Sequence, residues 1–264
     1  MQQFDVDFLH ENLKRIPLIS ATHIYQSVAS TNETARRLAK HGAPGGTLVL
    51  ADQQTGGRGR LGRSWHSPAG KGLWFSLLLR PQRHENAWGL LPMVLSEVLV
   101  VTLRELYGHA FAVKWPNDVL FQNRKLSGIL CESATAGDAL EMIVAGIGIN
   151  VNQSADEFPE ELRASAVSLR EVLGGETDRT ALLLALLRAI SDRLEPVLAG
   201  EQELHLQRWR EFCPDFGKRV EISAGNRRIS GIFRQVSVLG EIIIEQEHGE
   251  PAVVSCGEAT FQQR

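Results

Sequence analysis

The segment Thr47–Trp65 has the sequence TLVLADQQTGGRGRLGRSW, in which an apolar run leads directly into a loop rich in glycine and arginine. The run TLVLA predicts a buried strand, and the run GLWFSLLL at 72–79 predicts a second strand that leaves the loop. Linkers between domains usually fall where few contacts cross. A loop held between two core strands is therefore expected to belong to a single domain.

The loop itself is expected to bind an anion. Its glycines are costly to order, and its three arginines, Arg58, Arg60 and Arg63, repel one another. Arginine offers forked donors that suit phosphate and carboxylate oxygens, and glycine lets backbone N–H groups turn toward the same anion. Trp65 follows directly and could stack on a base. The spacing of the glycines matches neither a P-loop nor a dinucleotide fingerprint. The alternatives to an anion-binding loop are a solvated surface loop and an RNA-binding segment of the RGG type.

The regions on both sides of the loop predict a mixed α/β (α+β) main domain. Ser30 and Glu33 form the pattern of a capping box, and Gly42 is expected to close the helix that follows. Further helices are predicted at 88–107, 182–198 and 201–212, and further strands at 111–115, 119–121, 126–131 and 142–149. After Cys213 the chain changes to short β-rich runs separated by turns, which predict a small β-barrel or sandwich. The expected boundaries are 1–213 and 214–264.

Composition limits the functional classes. The chain has 264 residues, a formal net charge of -3 and 43% hydrophobic residues, which suffices for a core and argues against a protein that coats nucleic acid. No apolar run is long enough for a membrane span, and the acidic amino terminus has no signal peptide pattern. Cys131, Cys213 and Cys256 are scattered and odd in number, which is typical of a reducing compartment. We expect a soluble cytoplasmic protein.

A second polar segment, KWPND at Lys114–Asp118, follows a predicted strand. Its lysine, asparagine and aspartate could line a site at the edge of the core, while Trp115 is expected in the core. Lys114 and Asp118 could equally form an ordinary ion pair. The segment RKLSG at 124–128 places two cations beside a hairpin turn, where they either are solvated or face an anionic ligand.

A third group of polar residues lies at the predicted helix start, where Ser30 and Thr31 meet free backbone N–H groups. Such positions favour polar or anionic ligands, although a plain capping role also explains Ser30. The histidines show no HxxxH or HxH spacing, so no metal site is predicted from them.

Taken in order, these segments resemble the biotin protein ligase family. The resemblance rests on STN at 30–32, DQQTGGRGRLGRSW at 52–65, KWPND at 114–118, RKLSGIL at 124–130 and GIGINVN at 146–152. It extends from Ser30 to Glu258 and includes the small β domain. It implies a mixed-sheet catalytic domain of the biotin/lipoate ligase type with a carboxyl-terminal SH3-like β-barrel.

The resemblance also implies a reaction and a set of site residues. ATP would activate biotin to biotinyl-5′-AMP, with Mg²⁺ held mainly by the ATP phosphates and Asp118 as a candidate ligand, and biotin would then pass to a lysine of a biotin carboxyl carrier protein. Biotin-binding positions would be Ser30, Thr31, Asn32, Gln54, Gly57, Arg58, Arg60, Lys125 and Gly128. ATP and adenylate positions would be Arg58, Arg60, Arg63, Trp65, Lys114, Asn117 and Asn150. The catalytic residues would be Arg60, Lys125 and Asp118.

Further expectations follow from the resemblance. A lipoate or octanoate ligase or transferase of the same fold is the alternative enzyme. Only residues 1–29 precede the STN motif, so we expect a monofunctional chain without a winged helix-turn-helix domain and without DNA binding; a homodimer is compatible with the family. Cys256-Gly257-Glu258 stands where a Gly-Gly-Glu-like turn is expected.

Overall fold

Seven strands pair into one mixed sheet in the computed structural model, which describes residues 4–80, 86–136, 139–198, 201–224, 227–255 and 258–261. In chain order the elements are α1 Val6–Leu13, β1 Ala21–Val28, α2 Thr31–Lys40, β2 Thr47–Gln54, β3 Gly72–Leu79, α3 Leu91–Tyr107, β4 Ala112–Lys114, β5 Asp118–Phe121, β6 Arg124–Ala136, β7 Ala139–Asn150, α4 Leu169–Leu173, α5 Arg179–Leu198, α6 Gln202–Phe212, β8 Arg219–Ala224, β9 Arg227–Val236, β10 Ile242–Glu245, β11 Ala252–Val254 and β12 Glu258–Phe261.

The large sheet has the strand order β1-β2-β3-β7-β6-β5-β4. Only β1 and β2 run parallel, and the other neighbours are antiparallel. The strands on either side of the glycine-arginine loop, β2 and β3, are direct neighbours near the centre. This confirms the mixed sheet and places the loop at an end of two core strands.

Helices cover both faces of this sheet. Helix α2 packs over β2, β3 and β7, where Ala35 and Ala39 meet Val49 and Leu78. The opposite face carries the larger apolar core, in which α3 and α5 pack. Because successive side chains of a strand point to opposite faces, Ser76 lies on the α2 side with Leu78, beneath the start of that helix.

The start of α2 is fixed by its cap. Ser30 has extended backbone angles, and its hydroxyl accepts a hydrogen bond from the backbone N–H of Glu33, as the sequence predicted. Glu33 was expected to reach back to Ser30, but its carboxylate lies 3.1 Å from Arg58. The helix is followed by Gly42, whose φ of +86° lies in the left-handed region that glycine tolerates.

The carboxyl-terminal strands confirm a separate β region. Five antiparallel strands have the order β11-β10-β9-β8-β12, which shows a sheet but no closure into a barrel among the strands described. The SH3-like barrel and the boundary after residue 213 therefore stay predictions. Trp209 of α6 packs against Phe233 of β9, and Trp115 donates a hydrogen bond to the carbonyl of Gly240 at 3.0 Å. The predicted turn at Cys256-Gly257 lies outside the described residues.

No helix in the described part of the chain combines the length and apolar character that a membrane crossing requires.

Candidate active site

A cavity of about 490 Å³ opens where the start of α2, the glycine-arginine loop, the KWPND segment and the strands β6 and β7 meet. It collects almost every residue that the sequence proposed for a site. The predicted residues that line it are Ser30, Thr31, Asn32, Gln54, Arg58, Arg60, Arg63, Trp65, Lys114, Asn117, Asp118, Lys125, Gly128 and Asn150. Segments far apart in the sequence therefore form one site.

The glycine-arginine loop is folded back on itself. Arg58 and Ser64 form an isolated antiparallel bridge, and the Gly59 N–H donates to the carbonyl of Arg63 at 2.7 Å. These contacts do not fit a linker. Gly57, the one predicted site residue absent from the cavity lining, lies inside this packing, because a Cβ there would approach the carbonyl of Trp65 to 2.5 Å. Its predicted contact with biotin stays a prediction.

Two loop arginines are held by partners from other segments. Arg58 pairs with Glu33 of α2 at 3.1 Å, and both side chains are half exposed. Arg60 donates to the Oδ1 atom of Asn117 at 3.2 Å, which connects the loop to the KWPND segment across the cavity. An entering anion would therefore meet guanidinium groups already positioned over the opening.

Lys125 occupies the opposite wall. Its Nζ atom lies 2.7 Å from the Oδ1 atom of Asp118 and 5.3 Å from the centre of the Trp65 ring. Sequence alone left open a pair between Lys114 and Asp118, whereas the structure places the Asp118 carboxylate on Lys125. Gly128 faces this pair, and a Cβ there would come within 3.0 Å of the Trp65 ring and 3.1 Å of Lys125.

The floor of the cavity depends on two glycines of β7. A Cβ on Gly146 would lie 2.1 Å from the Oδ1 atom of Asn32, and one on Gly148 would lie 2.6 Å from the Nε1 atom of Trp65. The GIGIN segment therefore leaves space for a carboxamide and an indole ring. The glycines of this strand indicated that another group approaches its backbone closely. The structure shows that the side chains of Asn32 and Trp65 do so.

The start of α2 forms a polar cradle. The Thr31 N–H donates to the Oε1 atom of Gln54 at 2.8 Å, and the Gln54 amide donates to Ser67 at 3.0 Å. Thr31 and Asn32 both contact the buried hydroxyl of Ser76 at 2.7 Å. Ser76 was missed as part of this network, because a serine within an apolar strand gives no sign of its partners.

The predicted asparagines also anchor the walls of the cavity. The Asn117 amide donates to the carbonyl of Ile129 at 2.5 Å and holds the KWPND segment on β6. The Asn150 amide donates to the carbonyl of Val167 at 3.2 Å, beyond the end of β7. Their predicted contacts with nucleotide remain to be tested.

A segment at 154–167, not predicted to belong to the site, covers one side of the cavity. The Lys125 N–H donates to the carbonyl of Ser165 at 2.7 Å, so the segment lies directly beside the cation. At its other end, Glu157 pairs with Lys71 at 2.6 Å. Burial raises the pKa of Glu157, but the hydrogen bonds from Lys71 and Ser154 outweigh it and hold the pKa at about 2.

The donor set suits an Mg²⁺ ion carried by phosphates. The described residues contain no group of three histidine, cysteine, aspartate or glutamate side chains that could hold a metal ion. Among the described residues that line the cavity, Asp118 is the one carboxylate. Mg²⁺ is commonly bound by one or two carboxylates together with substrate phosphates and water, so this wall fits an ion that arrives with a nucleotide.

Comparisons with known proteins show which family the chain resembles. Residues 24–150 match the Biotin/lipoate A/B protein ligase family. The chain is 35% identical over 234 residues to the bifunctional ligase/repressor BirA of Bacillus spizizenii. The aligned residues cover 88% of this chain and 72% of that relative. It is 32% identical over 235 residues to the biotin–[acetyl-CoA-carboxylase] ligase of Paracoccus denitrificans, or 85% of this chain and 94% of that one.

A solved structure shows the same fold. The biotin protein ligase of Aquifex aeolicus, in complex with biotin and ATP, superimposes with a TM-score of 0.79 and 35% identity. The match covers 93% of this chain and 100% of that chain.

Proposed function

The chain belongs to the biotin/lipoate A/B protein ligase family, and from that premise we propose that its cavity activates biotin with ATP and transfers it to a carrier protein. The observation that carries the proposal is the meeting of two cationic walls with a polar cradle in one cavity. Its volume of about 490 Å³ lies within the range of small-molecule sites.

In the first step the biotin carboxylate attacks the α-phosphate of ATP, which gives biotinyl-5′-AMP and releases pyrophosphate. Two anions must approach each other, so the barrier falls when cations screen both. Arg58 and Arg60 from the loop and Lys125 from the opposite wall supply that charge. Mg²⁺ bound to the ATP phosphates would neutralise further charge, with Asp118 as the candidate protein ligand.

In the second step a lysine amine of the carrier attacks the acyl carbon of the adenylate, and AMP leaves. The amine has an ordinary pKa of about 10.4 and must lose a proton to react. Asp118 lines the cavity and is the carboxylate that we assign to accept this proton or to orient the amine. Trp65 lies between Lys125 and Gly148, where its ring can contact the base or the ring of the ligand.

The carrier that this chemistry requires is a biotin carboxyl carrier protein, such as the subunit of acetyl-CoA carboxylase. A homodimer is supported by β1, which lies at one edge of the large sheet. Cys131 and Cys213 are free thiols, which supports a location in the cytoplasm. The net charge of -3 supports the absence of DNA binding.

A transfer assay tests the function directly. The protein, ATP and Mg²⁺ are incubated with a biotin carboxyl carrier domain and either biotin or lipoate, and the carrier mass is measured. We expect a biotinyl adduct on one lysine and no adduct with lipoate. A carrier with that lysine replaced by arginine is the control, and an adduct formed with lipoate alone would overturn the assignment.

Asp118→Asn separates the two steps. Loss of a group that transfers a proton slows a step by about 10²–10⁴-fold, so transfer from preformed biotinyl-5′-AMP should fall within that range. Adenylate formation, measured by pyrophosphate release, should also fall but by a smaller factor, because Asp118 pairs with Lys125 and is the candidate Mg²⁺ ligand of the first step. Equal losses in both steps would contradict the role of Asp118 in transfer.

A further inference from the structure

We propose that Ser76 fixes the hydroxyl of Thr31 as a hydrogen-bond acceptor toward the cavity, so that the site selects a ligand ring that presents an N–H group. The inference rests on the proposed function and deepens it. The ureido ring of biotin carries two N–H groups, whereas the dithiolane ring of lipoate carries none. Ser76 thereby acts as a positioning residue for the choice between these two ligand classes.

Ser76 lies behind the cavity wall and acts on a ligand indirectly, through its contacts with Thr31 and Asn32. It is fully buried in the middle of β3, paired across the sheet with Gly146, and does not line the cavity. Its Oγ atom lies 2.7 Å from the Oγ1 atom of Thr31 and 2.7 Å from the Oδ1 atom of Asn32. Both of these neighbours do line the cavity.

The orientation of Asn32 is set by two acceptors. Its Nδ2 atom donates to the carbonyl of Leu130 at 3.1 Å and to the carboxylate of Glu132 at 2.8 Å. Neither a carbonyl nor a carboxylate can donate. The Oδ1 atom of Asn32 therefore faces Ser76 as an acceptor, and the single hydroxyl proton of Ser76 is committed to it.

The hydroxyl proton of Thr31 is then used in a hydrogen bond to Ser76. Two oxygens at 2.7 Å need a proton between them, and Ser76 has none left, so the Thr31 hydroxyl donates to Ser76. The Oε1 atom of Gln54 lies farther from that hydroxyl, at 3.1 Å, and already accepts the Thr31 N–H at 2.8 Å.

Gln54 cannot reverse this arrangement. The Ser67 hydroxyl donates to the carbonyl of Trp65 at 3.2 Å and so accepts from the Nε2 atom of Gln54 at 3.0 Å. The carboxamide oxygen of Gln54 is thereby held toward Thr31. With its own proton directed inward, the Thr31 oxygen offers only lone pairs to the cavity. A ligand N–H is matched there, and a ligand carbonyl is opposed.

The test combines one substitution with matched ligands. Binding of biotin, and of the two lactam analogues in which one ring N–H or the other is replaced by CH₂, is measured by calorimetry on the wild type and on Ser76→Ala. We expect the wild type to bind biotin about tenfold more tightly than one of the two lactams, the worth of one hydrogen bond. Ser76→Ala leaves the Thr31 proton only its longer contact with Gln54, so this variant should bind biotin about three- to tenfold more weakly and that lactam as the wild type does.

Ser96→Ala is the control, since Ser96 is a buried serine on α3 outside the cavity whose hydroxyl accepts from Trp209. It should leave all three affinities unchanged. Equal weakening of the three ligands by Ser76→Ala would show a structural role only and overturn the inference, as would unchanged affinity for biotin. If the wild type binds no biotin, the proposed function falls and the inference with it.

Discussion

The absence of a Cβ atom at two glycines of β7 leaves space at the floor of the cavity. Gly148 lies under the indole of Trp65, and Gly146 lies under the carboxamide of Asn32. Neither glycine has the positive φ that would require glycine for backbone reasons. What each position needs is the absence of a Cβ, because the neighbouring side chain already fills that space.

Gly148→Ala should therefore impair the site without disturbing the strand. The new methyl would lie 2.6 Å from the Nε1 atom of Trp65 and must displace the ring. We expect the Kd for biotin to rise by about tenfold or more, in line with the 1–3 kcal/mol of an overpacked core site. Calorimetry measures the Kd, and an unchanged value would show that the indole can move freely.

Arg60→Gly tests whether the loop retains the adenylate. Arg60 contacts Asn117 across the cavity, so its loss removes both a cation and a cross-link. We expect faster release of biotinyl-5′-AMP and biotinylation of lysines on unrelated proteins, detected by mass spectrometry.

Leu61→Gly is the matched control in the same loop, where Leu61 is exposed and has a φ of 55°. It loosens the backbone but leaves the guanidinium in place. Comparable promiscuity in both variants would assign the effect to loop flexibility instead.

Elements with strong local signals were predictable from the sequence. The apolar runs of β2 and β3 and the capped start of α2 appear where expected, because burial and capping act over a few residues. Strand β1 was missed, since ATHIYQSV is an edge strand without a clear alternation and is only partly buried.

The site was predictable only where its residues line the cavity themselves. The partners behind them were not found, because their roles depend on the order of strands in the sheet. Glu132 meets Asn32 from 100 positions away, and Ser76 meets it from 44 positions away. No pattern within either segment records those contacts.

The segment at 154–167 should be weakened by acid through Glu157. The pKa of Glu157 is held at about 2 by Lys71 and Ser154, below the ordinary value of about 4.3 in an unfolded chain. The stabilisation is therefore present above about pH 4.3 and disappears as the pH falls toward 2.

Glu157→Gln should lower the free energy of unfolding at pH 7 by about 0.5–1 kcal/mol, because the pair is partly exposed. Urea unfolding at pH 7, 5, 4 and 3 should show the difference shrinking below pH 4. Glu160→Gln, an exposed neighbour in the same segment, should have no such effect. A difference that persists at pH 3 would contradict the assigned pKa.

Binding of the anionic ligands biotin and ATP should protect the backbone amides of the glycine-arginine loop from hydrogen exchange. The like charges of the loop repel until phosphate and carboxylate oxygens neutralise them. We expect amide hydrogen exchange at 56–65 to slow by about tenfold or more with biotin and ATP, while exchange in β3 stays unchanged. Equal protection with and without ligands would contradict the expected binding of ligand anions by the loop.

At the scale of the whole molecule, the carboxyl-terminal sheet supports the KWPND segment. Trp115 is buried and donates to the carbonyl of Gly240, at the turn between β9 and β10. The same turn packs closely on Gly89, where a Cβ would lie 2.7 Å from the carbonyl of Leu239. The carboxyl-terminal sheet region therefore contacts the KWPND segment, which lines the cavity.

Trp115→Phe should raise the KM for ATP about three- to tenfold, because it leaves the Gly240 carbonyl without its donor and loosens the segment. The Kd for biotin should change less, since the hydrogen bond that is lost lies at the KWPND segment and acts on the biotin-binding positions indirectly, through the contact of Asn117 with Arg60. Pyrophosphate release against ATP concentration measures the first quantity. Trp88→Phe is the control, because the Trp88 Nε1 atom has no hydrogen-bond partner among the residues that the structure describes. Similar KM values for Trp115→Phe and the wild type would contradict this coupling.

The contact between Trp115 and Gly240 also implies an order in which parts of the molecule fold during translation. The acceptor lies 125 residues downstream of the indole, so a ribosome adding about 5–20 residues per second needs roughly 6–25 seconds to supply it. During that interval the nascent polypeptide can already pair β1, β2, β3 and β7 and form the cradle at α2. The KWPND segment gains this support only after Gly240 has been translated, so competence to use ATP is expected to follow that step.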